Sequence, residues 1–177
     1  MSTLYVDTIN EKTSGNGVMI PGHVVQVQST TKTDTYTESV STGNFSGVVT
    51  GLTVNITPTS TSSKIMIFFS VATNQQGTYL VLDEGGSVIT AATGDAASNR
   101  ARVFTVRDFT FSEFYMGTQA GQFLHSPATT SQLTYGVRLR HSSSTTQTLY
   151  VNRGGTDTDV DEVARAASTI TVMEIAQ

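Results

Sequence analysis

The densest group of potential metal ligands in the sequence is the run Asp157-Thr158-Asp159-Val160-Asp161-Glu162. Alternate carboxylates are the pattern that gathers oxygens around a hard cation such as Ca²⁺. An EF-hand loop is excluded: Glu162 stands where that loop needs glycine, and Ser168 where it needs a bidentate glutamate. Asp157, Asp159 and Asp161 are therefore a weak cation site at best, and a solvated acidic loop after Gly154-Gly155 is the expected reading. Nucleophilic chemistry has little to stand on. There is no G-x-S-x-G elbow and no cysteine, and the histidines His23, His125 and His141 are scattered. Glycoside cleavage needs two carboxylates about 5–10 Å apart in a cleft. Asp83, Glu84, Asp95, Asp108 and Glu113 show no legible pairing. Gly15-Asn16-Gly17 lacks the Lys-Ser/Thr end and the helix of a phosphate loop and reads as a tight turn. No enzymatic activity and no cofactor are expected. Sugar binding without cleavage fits better, because loops that mix aromatic, amide and guanidinium groups hold sugars by stacking and hydrogen bonds. Asn99, Arg100, Arg102, Tyr115, Phe123 and His125 are the candidates, whereas Phe104, Phe109 and Phe111 are expected in the core.

The elements that must position such residues are strands. No run of about 12 residues keeps a 3.6-residue period, and Asp161 to Ala167 offers a helical turn or two at most. Thr53 to Ile56 alternates and stops at Thr57-Pro58. Lys64 to Ala72 is apolar on both faces and reads as a central strand covered on each side. Tyr79 to Asp83 and Ser87 to Thr90 flank Glu84-Gly85-Gly86, a hairpin signal. Leu133, Tyr135, Val137 and Leu139 alternate with Thr134, Gly136, Arg138 and Arg140, which predicts a half-buried strand. Gln147 to Asn152 and Ser168 to Ile175 complete the set, and Ala91 to Arg102 reads as a long loop. Eight to ten short strands at near-regular spacing predict an antiparallel β-sandwich or jelly roll. Two strands with two apolar faces exceed what one sandwich buries, so one face is available for a neighbouring subunit, or a bulge swaps faces.

Composition narrows the partners. Net charge is -4 and only 14% of residues are charged, so there is no electrostatic footprint for nucleic acid. About 50 of the 177 residues are Ser or Thr, which suit exposed strand faces. The longest apolar run, Ile65 to Phe69, is too short to span a bilayer, and Met1 to Asn10 lacks the basic and apolar regions of a secretory leader. Leu4 to Gly22 holds two short β-patterned runs about the turn Ser14-Gly15-Asn16-Gly17, then a Pro21-Gly22 break into His23 to Gln28. So short a segment cannot close a core alone and needs copies of itself or a docking partner. The division is an extended segment 1–22 and a sandwich domain 23–177.

The stretch VDTINEKTSGNGVMIPGHVVQV, Val6 to Val27, resembles the start of tail-fibre-like structural proteins of marine bacteriophages. Thr57 to Ile67, Leu133 to Arg140, Thr148 to Arg153 and Ser168 to Ile175 are similar to the C-terminal domain of those proteins, and Ala91 to Gln132 is the least similar part. The resemblance implies a virion protein made in the host cytoplasm, a homotrimer with a compact jelly roll of tumour-necrosis-factor-like shape. It also implies that the opening segment interleaves three copies and attaches to other virion proteins. Val6, Ile9, Val18 and Ile20 are the expected attachment residues. Ile65, Ile67, Phe69, Val71, Ile170, Val172, Met173 and Ile175 are the expected core and intersubunit strands. The expected role is a trimeric tail-fibre or knob component that adheres to a host-surface glycan or protein. The alternative is a capsid decoration or tail joint that touches only other virion proteins.

Overall fold

The computed structural model describes residues 6–10, 20–74, 77–107 and 114–177. The chain is all-β, two antiparallel sheets packed as a sandwich. The first sheet holds β1 (Val24–Lys32), β2 (Tyr36–Val40), β4 (Lys64–Asn74), β8 (Gly117–His125), β10 (Gln147–Val151) and β11 (Ser168–Ile175). The second holds β3 (Val54–Ile56), β5 (Thr78–Glu84), β6 (Ser87–Val88), β7 (Thr105–Arg107) and β9 (Leu133–His141). No helix among the described residues is long and apolar enough to cross a membrane.

The pairing is concentric. β1 and β2 pair with β11 and β10, β3 with β9, β4 with β8, and β5 with β7. First strand meets last, second meets second-last, and so inward: one long hairpin rolled over itself, the jelly-roll arrangement. The β5–β6 hairpin is added to this plan. Its two-residue loop, Gly85-Gly86, has φ +58 and +91, which the primed hairpin turns demand.

Period-2 alternation decides which side chains meet. Ile65, Ile67, Phe69 and Val71 of β4 point inward with Ile170 and Val172 of β11, against Leu80, Leu82, Tyr135, Val137 and Leu139 of the other sheet. Phe104 packs edge-on against Phe69, ring centroids 5.2 Å apart. Gly121, paired with Phe69, makes this possible: a Cβ there would lie 2.5 Å from the Phe104 ring.

Three sequence expectations change. Asp161 to Ala167 contains no helix and runs as turns and irregular chain. Strands β2 and β8 were not foreseen, because their polar, small-residue alternation carries no strong hydrophobic period. Strand β4 is not fully covered on its second side by the described residues: Met66, Phe68 and Ser70 point away from the core and stay half-buried.

A buried polar node holds the first sheet together. β11 pairs with β4 as far as Ser70, and β10 takes up the same edge only from Thr73. The gap is filled by Asn152, fully buried and at φ +62. Its N–H donates to the Ala72 carbonyl at 2.9 Å, and its carbonyl accepts from the Ala166 N–H at 3.2 Å. Its amide Nδ2 donates to the Lys32 and Asp34 carbonyls, both at 2.9 Å. Its Oδ1 accepts from Ser168 Oγ at 2.6 Å, and Ser168 Oγ in turn accepts the Ala72 N–H at 3.0 Å. Every polar group of Asn152 is used. Asn152→Ala is expected to cost about 2–4 kcal/mol in chemical denaturation, because it orphans buried carbonyls and strains a left-handed residue. Asn152→Gly, which relieves the backbone but not the lost bonds, should recover about 1 kcal/mol of that.

Candidate functional site

The outer face of the second sheet carries a groove of about 440 Å³. Its floor is set by register. Tyr79 of β5 lies between Arg140 of β9 and Val106 of β7, all on the side away from the core. The wall is the stretch Asn99 to Val103, and the far end is closed by Thr42-Gly43 and Ser142-Ser143. Arg140 is held by the Phe45 ring, its guanidinium carbon 5.7 Å from the centroid. Its Nε is buried without a hydrogen-bond partner among the described residues. His141 adjoins the groove, 2% exposed, with Nε2 2.8 Å from the Val40 carbonyl and Nδ1 unpartnered among the described residues. No carboxylate among the described residues lines the groove, and neither Arg100 nor Arg140 has a carboxylate partner among them. Arg138, one position along the same face, is instead bound to buried Asp83 at 2.8 Å. The result is a local cationic spot, with an aromatic face, on a protein of net charge -4. Chemically it can hold an anionic group and stack a ring.

The outer face of the first sheet is different. Register aligns Val27, Met173, Met66 and Leu124 in one row across β1, β11, β4 and β8. Phe68 lies in the next row with Ser29, Thr171 and Gln122, while Val24, Ile175 and Lys64 form the row on the other side. Val27 is 49% exposed and Leu124 41%. Lys64 is the one charged side chain in these three rows.

Chain entry to this face is fixed at one corner. Ile20 to His23 makes a turn closed by His23 N–H to the Ile20 carbonyl at 3.0 Å, with Gly22 at φ +86. Gly22 N–H then donates to the Ala176 carbonyl at 2.8 Å, and Ala176 N–H to that of His23 at 3.0 Å. Beneath this corner Glu174 is fully buried with no cationic partner among the described residues. Its Oε1 accepts from Thr59 N–H at 2.8 Å, Thr59 Oγ1 at 2.7 Å and Ser63 Oγ at 2.6 Å, and its Oε2 from Gln26 Nε2 at 2.7 Å. Burial pushes this carboxyl up, but the hydrogen bonds from Gln26, Ser63 and Thr59 together outweigh it and hold it below its ordinary value of 4.5.

The residues singled out from the sequence separate. Asn99 and Arg100 join the groove, and Arg102 braces the same loop, its Nε donating to the Gly94 carbonyl at 2.8 Å. Tyr115 is exposed elsewhere, and its carbonyl accepts from the Asn74 amide. Phe123 is half-buried against the core. His125 faces inward, 2.9 Å from the Tyr135 hydroxyl and 3.7 Å from Glu84, and its basicity is lowered by burial, partly offset by Glu84. It borders a separate cavity of about 220 Å³. Val6, Ile9 and Ile20 are exposed, and Val18 lies outside the described residues. Ile65, Ile67, Phe69, Val71, Ile170 and Val172 face inward, whereas Met173 and Ile175 belong to the outer face. Asp157 is paired with Arg153, at 3.1 Å, and with Arg165. Among the described residues no three His, Cys, Asp or Glu side chains are grouped to hold a metal. Tyr79, Arg140 and Phe45 escaped sequence reasoning. The alternation of Leu133 to Arg140 did put Arg140 outward, but nothing local announced the tyrosine beside it.

No family model and no curated protein matches the chain. Among solved structures it is similar to one of infectious bursal disease virus Gx strain, at 12% identity and a TM-score of 0.39. It is also similar to the infectious bursal disease virus VP2 subviral particle, at 10% identity and a TM-score of 0.40. Each match covers 86% of this chain and 37% of the other, so the chain spans little more than a third of those proteins.

The Glu174 cluster has a pH signature. A carboxyl depressed in the folded state stabilises fully above its unfolded value, and that contribution is lost as pH falls through the folded one. Glu174→Gln should therefore destabilise the protein by about 1–3 kcal/mol near neutral pH. The gap from the parent should shrink between about pH 5 and pH 3, read from urea midpoints across that range.

Proposed function

We propose that this chain is a virion structural protein, a homotrimeric fibre or knob component whose segment 1–22 docks onto other virion proteins and whose jelly roll adheres to the host surface. The observation that carries the reading is the outer face of the first sheet. The row Val27, Met173, Met66 and Leu124, bordered by Phe68 on one side and by Val24 and Ile175 on the other, with Lys64 as the one charge, forms a surface that a lone soluble domain has no use for. Three copies turned toward a common threefold axis are a suitable cover, each meeting its two neighbours through different parts of the face. With Lys64 as the one charge in these rows, bringing copies together costs little like-charge repulsion. Ile20 is exposed at the corner where this face begins, and Val6 and Ile9 earlier in the chain are exposed too, which suits the same role for the opening segment. The resemblance of Val6 to Val27, Leu133 to Arg140 and Ser168 to Ile175 to phage fibre-like proteins supplies the virion context and the threefold symmetry.

The decoration or tail-joint reading needs only contacts between virion proteins. The groove of Tyr79, Asn99, Arg100 and Arg140 favours adhesion over it, because such residues bind ligands rather than fill joints. Three such grooves on one trimer would convert weak contacts into durable attachment through raised effective concentration.

Light scattering after gel filtration tests the assembly. The full chain is expected to run as a trimer at micromolar concentration, and the pair Met66→Glu with Met173→Glu to run as a monomer with an unchanged circular dichroism spectrum. Those side chains point away from the core, so the substitution should spare the fold. A form starting at His23 that stays trimeric would put the contacts on the sheet face, and a monomeric one would make segment 1–22 the clamp. A monomeric full chain would sink the trimeric fibre reading.

A further inference from the structure

We infer that the groove on the outer face of the second sheet is a binding site for an acidic saccharide, one carrying carboxylate or sulfate groups. The inference deepens the adhesion reading and rests on it for the source of the ligand, but not on the trimer. Charge comes first. Arg100 and Arg140 meet in one concavity with no carboxylate beside them among the described residues, whereas the neighbouring Arg138 is neutralised by Asp83. Two guanidinium groups in a concave site with no carboxylate among the described residues are set to receive an anion, and the planar fork of arginine matches carboxylate and sulfate oxygens.

A bare anion would leave most of the site empty. Its volume, about 440 Å³, lies in the range of small-molecule sites, about 300–1,000 Å³. Its floor is the half-buried ring of Tyr79, flanked by Val106, which offers the apolar surface that the C–H face of a sugar ring covers. Around it stand Asn99, Ser142 and Ser143, donors and acceptors for hydroxyl groups. One further polar atom belongs to a groove residue, the buried Arg140 Nε, unpartnered among the described residues. Arg140 is pre-positioned by Phe45, so little of its freedom is lost on binding. Arg100 sits exposed on the loop, braced below by the Arg102 to Gly94 contact.

The test is calorimetric titration of the full chain with three probes of equal length: a uronic-acid trisaccharide, a sulfated galactose trisaccharide and the neutral galactose trisaccharide, with sodium sulfate as the plain-anion control. Binding by at least one acidic probe, and at least tenfold weaker or no binding by the neutral one, is expected. Arg100→Gln and Arg140→Gln should each weaken the acidic probe roughly tenfold, the worth of a charge-assisted hydrogen bond. Affinity should also fall as salt is raised. Which acidic probe wins identifies carboxylate or sulfate as the recognised group. Arg100→Gln carries the test if Arg140→Gln disturbs the Phe45 contact, since Arg100 is exposed on a loop. Equal binding of neutral and acidic probes, sodium sulfate binding as tightly as the saccharides, or an acidic probe indifferent to both substitutions would overturn the site. Failure of all saccharides with an intact trimer would overturn this inference and leave the structural virion reading standing, whereas a monomer that still binds the acidic probe would do the reverse.

Discussion

The architecture depends on how one edge of β4 is shared. Two separate strands, β10 and β11, must occupy that edge in succession, and between them the ladder is broken at Val71 and Ala72. A buried break leaves backbone groups without partners, each costing as much as a lost hydrogen bond. Asn152 and Ser168 supply those partners, and Asn152 also reaches the turn that joins β1 to β2. One residue thus ties the first strand and the last strand through its side chain and the central strand through its backbone N–H. The outer row of Val27, Met173 and Met66 stays in register because this node prevents β10 and β11 from sliding along β4.

The two sheets then present faces of opposite character. The first sheet turns toward solvent an apolar, nearly uncharged surface; the second turns out arginines, a tyrosine and hydroxyl groups. The difference follows from strand composition. β4 and β11 carry large apolar residues at both even and odd positions, while β9 alternates strictly and places Arg138 and Arg140 on its outer side. One face suits a copy of the chain and the other a hydrated ligand, so the proposed assembly and the proposed recognition would use different surfaces.

Buried carboxylates show how the remaining charge is managed. Glu174 is held by hydroxyl, amide and backbone donors, which keep it ionised without a cation. Asp83 takes Arg138 and the Gly86 N–H. On the acidic loop, Asp157 takes Arg153 and Arg165. With these pairings made, Arg100 and Arg140 have no acid partner among the described residues.

Much of the fold was legible from the amino acids alone. The alternation of Leu133 to Arg140, the Glu84-Gly85-Gly86 turn and the doubly apolar runs of Lys64 to Ala72 and Ser168 to Ile175 state strand, hairpin and spare face directly, because side chains alternate with period two whatever the neighbours are. The weak strands were not legible: β8, with Gly117, Gln119 and Gly121 facing inward, is a strand only because β4 offers it an edge. The candidate groove was half visible. Asn99 and Arg100 stood out as loop residues, but Tyr79 and Arg140 are 61 positions apart and become neighbours through the β5–β9 register, which long-range pairing alone sets. Tertiary structure also divided the doubly apolar strands, sending Ile170 and Val172 to the core and Met173 and Ile175 outward. Local sequence determines which residues alternate; only the packing of one sheet on the other decides which side of that alternation is the inside.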